Sequence, residues 1–184
     1  MHEEAIFAGF GGQGVLFAGQ LLAYAAMHEG KHVTWIPSYG PEMRGGTANC
    51  TVVVSDAPIG SPVVRYPSIA VVFNNPSMDK YAPLVKPGGL LVINTSLVTI
   101  PTDRTDITLL QIPATETANM LGETRLTNVL LTGAMLAACP VVSLETMIAT
   151  LMEKLPQHRQ HLLEINCLAL RRGAEMAQAC LTPA

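Results

Sequence analysis

The chain has 184 residues, enough for one domain with a substantial core, and 49% of them are hydrophobic. Only 14% are charged and the formal net charge is −3; no block of Lys or Arg is present, so the clustered cations that nucleic-acid binding needs are missing. So sparse a charge set fits two readings equally: a surface partly covered by another chain, because permanent interfaces are more apolar than free surface, or a protein that is simply apolar and soluble.

Glu4 to Ala8 read as a short apolar strand running into Gly9. From Val15 a helical pattern begins, with Val15, Ala18, Leu22 and Ala25 on one face and Gly30 as its stop. His32 to Ile36 form a second strand, broken at Pro37, and Pro37 to Gly46 form a loop with two prolines and three glycines. Thr47 to Ser55, rich in Thr and Val, read as a third strand. Residues 57 to 67 hold three prolines and are expected to wander at the surface.

Ile69 to Phe73 form a buried strand, Ser77 to Val85 a short helix, and Lys86-Pro87-Gly88-Gly89 a turn before the strand Leu90 to Asn94. Asp103 and Asp106 flank Arg104 in a turn and read as solvated charges. Thr108 to Ile112 complete the strands. Helical stretches follow around Glu116 to Leu121, Asn128 to Ala138 and Leu144 to Lys154. In the last helix Leu162, Ile165, Ala169, Met176 and Cys180 share a stripe, with Arg159, Glu164, Arg171 and Arg172 largely off it. Alternating strands and helices predict a single α/β domain over residues 1–184, Rossmann-like. Its sheet is expected to be open and mostly parallel, flanked by helices, with a long C-terminal helix.

Glu3 and Glu4 stand where a secretory signal would carry cations. The longest nearly apolar stretch, Val129 to Val142, is shorter than the roughly 20 residues a membrane span needs. A cytoplasmic protein with no membrane contact is expected. Cys50, Cys139, Cys167 and Cys180 form no C-x-x-C pair, so the local framework of an iron–sulfur or structural zinc site is missing and no metal is expected.

Gly9-Phe10-Gly11-Gly12-Gln13-Gly14 joins the first strand to the first helix. A turn this tight needs glycine, and the helix start behind it offers unpaired N–H groups to an anion. Gly9, Gly11 and Gly14 match the G-x-G-x-x-G pattern of dinucleotide sites. The acidic residue that such sites place at the end of the second strand is absent, since that strand ends in Ile36-Pro37-Ser38 and the nearest acid is Glu42. The second loop, Ser38-Tyr39-Gly40-Pro41-Glu42-Met43-Arg44-Gly45-Gly46, is expected at the same sheet edge. Arg44 followed by two glycines suits an anion clamp, a forked guanidinium beside a nest of backbone N–H groups. The same residues also fit a glycine turn needed only for packing and a surface arginine paired with Glu42. Nothing points to catalysis by this chain: His2, His28, His32, His158 and His161 are scattered, and no nucleophile elbow or carboxylate pair is present.

Taken together, the Gly9–Gly14 run and the Ser38–Ala48 run resemble the gamma subunits of 2-oxoacid:ferredoxin oxidoreductases, with the 2-oxoglutarate and 2-ketoisovalerate types nearest. The motifs cover about residues 5 to 55; Asn74-Asn75, Pro87-Gly88-Gly89, Asn128 and the long last helix are similar in layout. The indolepyruvate oxidoreductase small subunit shares the Gly-Gly-Gln-Gly loop. The resemblance implies oxidative decarboxylation of a 2-oxoacid, such as 2-oxoglutarate, with ferredoxin reduced and the acyl group passed to coenzyme A. It implies thiamine diphosphate and iron–sulfur clusters on partner alpha and beta subunits, with a ferredoxin-like delta chain as a further candidate partner, and no catalytic residue here. By analogy with fused relatives it assigns coenzyme A contacts to Gly9, Gly11, Gly12, Gln13 and Gly14 and to Arg44, Gly45 and Gly46. Two other functions stay open on the residues themselves: a stand-alone dinucleotide-dependent enzyme, and a purely structural subunit of the same complex.

Overall fold

A computed structural model describes residues 1–40 and 46–181. Its centre is one six-stranded sheet made of β1 (His2–Phe10), β2 (His32–Tyr39), β3 (Thr47–Ser55), β4 (Ile69–Val72), β5 (Leu90–Asn94) and β6 (Thr108–Ile112). The strands lie in the order β2-β3-β1-β4-β5-β6. From β1 to β6 neighbouring strands are parallel, whereas β3 runs antiparallel to both β1 and β2. The sheet is therefore mixed but mostly parallel, as expected.

Among the described residues six α-helices accompany it: α1 (Val15–His28), α2 (Asn75–Tyr81), α3 (Ala114–Met120), α4 (Thr127–Ala138), α5 (Leu144–Lys154) and α6 (Leu163–Leu181). Side chains alternate across a strand, so each parallel strand feeds two cores. Phe7, Val71 and Val92 point into the larger core with Leu22, Leu130 and Leu170 from α1, α4 and α6. Ile6, Val72 and Ile93 point into the smaller core with Met78 and Tyr81 of α2. Strands buried on both faces must be apolar throughout, which explains the continuous Ile69–Val72 run.

Local sequence sets the helix ends. The Asn74 side chain accepts the Ser77 N–H at 3.0 Å and Pro76 sits in the first turn of α2, a cap and a preset φ that together start the helix two residues earlier than the sequence suggested. Ser143 caps α5 through the Thr146 N–H, also at 3.0 Å. Past the end of α1, the Glu29 carboxylate accepts the Ser143 N–H at 2.7 Å and pairs with Lys31 at 2.9 Å, while Lys31 also donates to the Val141 carbonyl. This latch ties α1 to the turn between α4 and α5.

Helices α4 and α6 approach without side chains between them. A Cβ added at Gly173 would lie 1.9 Å from the Leu130 carbonyl oxygen, and one at Gly133 would lie 2.0 Å from that of Leu170. Two glycines, one on each helix, therefore allow backbone-to-backbone contact in the middle of the larger core.

One expectation needs correction and another gains detail. β2 does not break at Pro37 but continues to Tyr39, with Pro37 opposite Cys50 in the β3 register. β2 is an edge strand, and an edge tolerates a residue with no N–H to give. Asp103 and Asp106 are exposed, as expected, and Asp106 in addition pairs with Arg104. Arg104 grips Asp106 at 2.6 and 2.9 Å and donates to the Ala82 and Val85 carbonyls at 3.0 and 2.9 Å. It closes the carbonyl end of the short turn after α2, and the guanidinium holds the Asp106 carboxyl below its ordinary pKa.

Candidate functional site

β1 ends at Phe10, and the chain turns through four residues into α1. The Gln13 N–H donates to the Phe10 carbonyl at 3.2 Å, and the Gln13 Oε1 accepts the Phe10 N–H at 2.6 Å and the Asn74 amide at 3.3 Å. Gln13 thus braces the loop from inside. Gly12 and Gly14 have φ of +99° and +75°, in the left-handed region that favours glycine. At Gly14 space is closed as well, since the Asn128 amide sits where a Cβ would go and donates to the Gly14 carbonyl at 3.0 Å. Gly14 caps the 14-residue α1 with no side-chain hydrogen bond and no acid in the first turn. The first N–H groups of α1 are left for an external acceptor.

The two flanks of the second loop, Gly40 and Gly46, reach the same place. β1 and β2 run in the same direction with β3 between them, so their carboxyl ends share one edge. There the Gly11 N–H donates to the Gly46 carbonyl at 2.9 Å, and the Gly40 N–H donates to the Thr47 carbonyl at 2.7 Å. Of the residues assigned from sequence, Gly11, Gly12, Gln13, Gly14 and Gly46 come together at this edge. Gly9 lies buried just below, still in β1, with Gln13, Phe73 and Val15 filling the space a Cβ would need. Arg44 and Gly45 lie outside the described residues.

In front of the glycine loop is a cleft of about 240 Å³. Gly12, Gln13 and Gly14 form one wall. The turn Glu123–Leu126 and Asn128 form the second, and the connection from Leu155 to Leu162 forms the third. A smaller hollow of about 130 Å³ also borders Gly12, Gln13 and Arg125. Two cations, Arg125 and Arg159, line the main cleft; the sequence reading gave neither a role. No motif surrounds them. The available signal was topological: helix starts gather where parallel strands end, so residues just before Asn128 belong at the same edge as the glycine loop.

The cysteines stand apart from this chemistry. Burial pushes the Cys50 thiol up to about 12 and the Cys139 thiol up to about 11; thiols so reluctant to ionise are poor nucleophiles. Among the described residues no group of three or more His, Cys, Asp or Glu gathers as a metal site. Nor is any described helix long and apolar enough to cross a membrane.

Comparison with known proteins gives a consistent result. The family model "Pyruvate ferredoxin/flavodoxin oxidoreductase" matches residues 4–176. The ketoisovalerate oxidoreductase subunit VorA of Methanothermobacter marburgensis is 37% identical over 171 residues, covering 93% of this chain and 36% of that protein. The chain thus spans about a third of the length of that relative. The 2-oxoglutarate synthase subunit KorC of Methanocaldococcus jannaschii is 36% identical over 185 residues, covering 97% of this chain and 95% of the other. Among solved structures, the gamma subunit of a keto/oxoacid ferredoxin oxidoreductase from Geobacter sulfurreducens superposes with a TM-score of 0.82 at 31% identity, covering 96% of this chain and 99% of that one. The 2-oxoglutarate:ferredoxin oxidoreductase of Magnetococcus marinus, solved with 2-oxoglutarate, coenzyme A and succinyl-CoA bound, shares the fold. Its TM-score is 0.88 at 23% identity, over 100% of this chain and 32% of that one.

Proposed function

This chain belongs to the pyruvate ferredoxin/flavodoxin oxidoreductase family as a gamma-type subunit, and on that premise we propose that it contributes coenzyme A contacts to a larger 2-oxoacid:ferredoxin oxidoreductase. In this reading alpha and beta partners hold thiamine diphosphate and the iron–sulfur clusters. They decarboxylate a 2-oxoacid such as 2-oxoglutarate, pass electrons to ferredoxin and deliver the acyl group to coenzyme A. The present chain completes the entrance through which the thiol acceptor arrives.

The observation that carries the proposal is the junction of the two loops, Gly11 N–H to Gly46 carbonyl at 2.9 Å, over the uncapped start of α1. Two glycine-bearing turns and a free helix start at one sheet edge suit an extended anion. Coenzyme A is a polyphosphate whose recognition does not require the acid that a nicotinamide dinucleotide site places after its second strand. Here that strand closes on Ser38 and Tyr39, which favours coenzyme A over a stand-alone dinucleotide enzyme. The partner assignment is tested by native mass spectrometry on the tagged chain purified from its source without oxygen. Recovery with two larger, iron-containing chains is expected; recovery alone with a bound nucleotide would overturn it.

A structural subunit is the second reading, and one observation favours it: the Gln13 brace and the Asn128 contact at Gly14 are internal, so part of the motif serves packing. One substitution separates the two. Arg44→Glu in the assembled complex is expected to raise the KM for coenzyme A roughly tenfold or more, the loss of one charge-assisted contact. A purely structural loop would leave coenzyme A kinetics unchanged.

A further inference from the structure

The cleft in front of the glycine loop has walls that neither glycine motif supplies, and each brings one arginine. Arg125 comes from the turn before α4 and Arg159 from the connection between α5 and α6, so two separate segments aim cations at one hollow. Both cations are available. The ion pair of Arg125 with Glu123 is long, at 3.9 Å, with the Arg125 side chain 71% exposed; Arg159 has no ion pair among the described residues. The acid on these walls is Glu123, and its Oε1 already accepts the Arg125 backbone N–H at 3.1 Å as the cap of that turn. Two cations therefore face one engaged carboxylate. The volume of about 240 Å³ falls below the roughly 300 Å³ at which pockets begin to enclose a whole small ligand. It suits one part of a longer molecule.

We infer that Arg125 and Arg159 clasp a phosphate group of coenzyme A between them, with the glycine-loop N–H groups forming the third side. This rests on the proposal that the chain contacts coenzyme A at all. Arginine is suited to the task because its planar fork meets phosphate oxygens in pairs, and two forks from opposite walls fix the group's position as well as its charge. The diphosphate and the 3′-phosphate of coenzyme A offer the same chemistry.

The test is calorimetric titration of the purified complex containing Arg125→Gln, Arg159→Gln or Arg159→Lys, with coenzyme A and with dephospho-coenzyme A, which lacks the 3′-phosphate. Each glutamine variant is expected to raise the Kd for coenzyme A about tenfold, with Arg159→Lys recovering part of the loss. A penalty that persists with dephospho-coenzyme A assigns the arginines to the diphosphate; a penalty that vanishes assigns them to the 3′-phosphate. An unchanged Kd for coenzyme A in both glutamine variants overturns the inference. A photoreactive coenzyme A analogue applied to the wild-type complex separates the two levels. Labelling of residues 9–17 with unchanged variant affinities sinks the arginine assignment alone. Absence of labelling on this chain sinks the coenzyme A reading and the arginine assignment with it.

Discussion

Substituting Gly173 by Ala puts the contact between α4 and α6 to a quantitative test. The new methyl would start 1.9 Å from the Leu130 carbonyl oxygen, 2.8 Å from its carbon and 3.0 Å from its Cα. All three are backbone atoms, so no rotamer change relieves the clash. An ordinary carbon–oxygen contact is about 3.3 Å, so the helices must part by about 1.4 Å. Parting by even ~1 Å forfeits up to about half of the dispersion energy of the facing atoms. The atoms affected belong to fully buried residues, Leu130, Ala134, Ala169 and Leu170 among them. We expect a loss of about 3 kcal/mol, the upper end of the usual overpacking range. With a urea m-value near 2 kcal/mol/M this moves the unfolding midpoint down by about 1.5 M at constant m. The single tryptophan, Trp35, packs against the larger core and reports the transition by fluorescence. Gly60→Ala, where nothing lies within 4 Å, serves as the control. Gly133→Ala should cost a similar amount, and the double variant less than the sum, because one separation of the helices relieves both clashes. A midpoint shift below about 0.3 M for Gly173→Ala, or strict additivity of the pair, would refute the reasoning.

Two pH effects follow from buried or latched groups. The Cys50 thiol rises in the folded state from an ordinary value of 9.0 to about 12, so the native state holds this proton more tightly than the unfolded chain. Its contribution is complete below pH 9 and is lost as pH climbs from 9 toward 12; Cys50→Ala should flatten that alkaline decline in a series of urea melts. Glu29 behaves in the opposite sense. Partial burial works against its carboxylate, but the Ser143 N–H and Lys31 outweigh it and hold its pKa below 4.5. The latch is therefore present at neutral pH and lost as pH falls through that lowered pKa. Glu29→Gln should lower the neutral-pH melting temperature and shrink the acid-induced drop, and an acid limb identical to wild type would count against the latch.

Much of the architecture was legible because it depends on local chemistry. The Ile69–Val72 run had to be a strand buried on both faces, and Gly9–Gly14 had to be a tight turn into a helix. The continuation of β2 through Pro37 was not legible, because a proline in a strand is permitted only at an edge and edge position is a property of the finished sheet. The direction of β3 was hidden for a similar reason, since no residue in Thr47–Ser55 encodes which way its neighbours run. At the site, the loops announced themselves through glycine. Arg125 and Arg159 did not, because they are ordinary surface arginines until folding brings the start of α4 and the α5–α6 connection against the loop. Gly133 and Gly173 look in sequence like helix-weakening residues. Only the other helix's carbonyl explains each of them.

The place of β1 has a kinetic consequence. It is zipped along its full length to β3 on one side and, from Ala5 to Ala8, to β4 on the other, whereas β2 is held at one edge only. Amides in such a doubly paired central strand exchange with solvent only when the whole domain opens, while edge strands exchange through smaller excursions. The glycine loop grows from the end of β1, two residues past the doubly paired Ala5–Ala8 stretch, so its first root sits beside the slowest-exchanging part of the molecule. Its second root, α1, is tied down at the far end by the Glu29 latch. Breathing of the β2 edge can then occur without displacing the Gly11–Gly14 backbone, so this wall of the site keeps its shape while the outer strand opens.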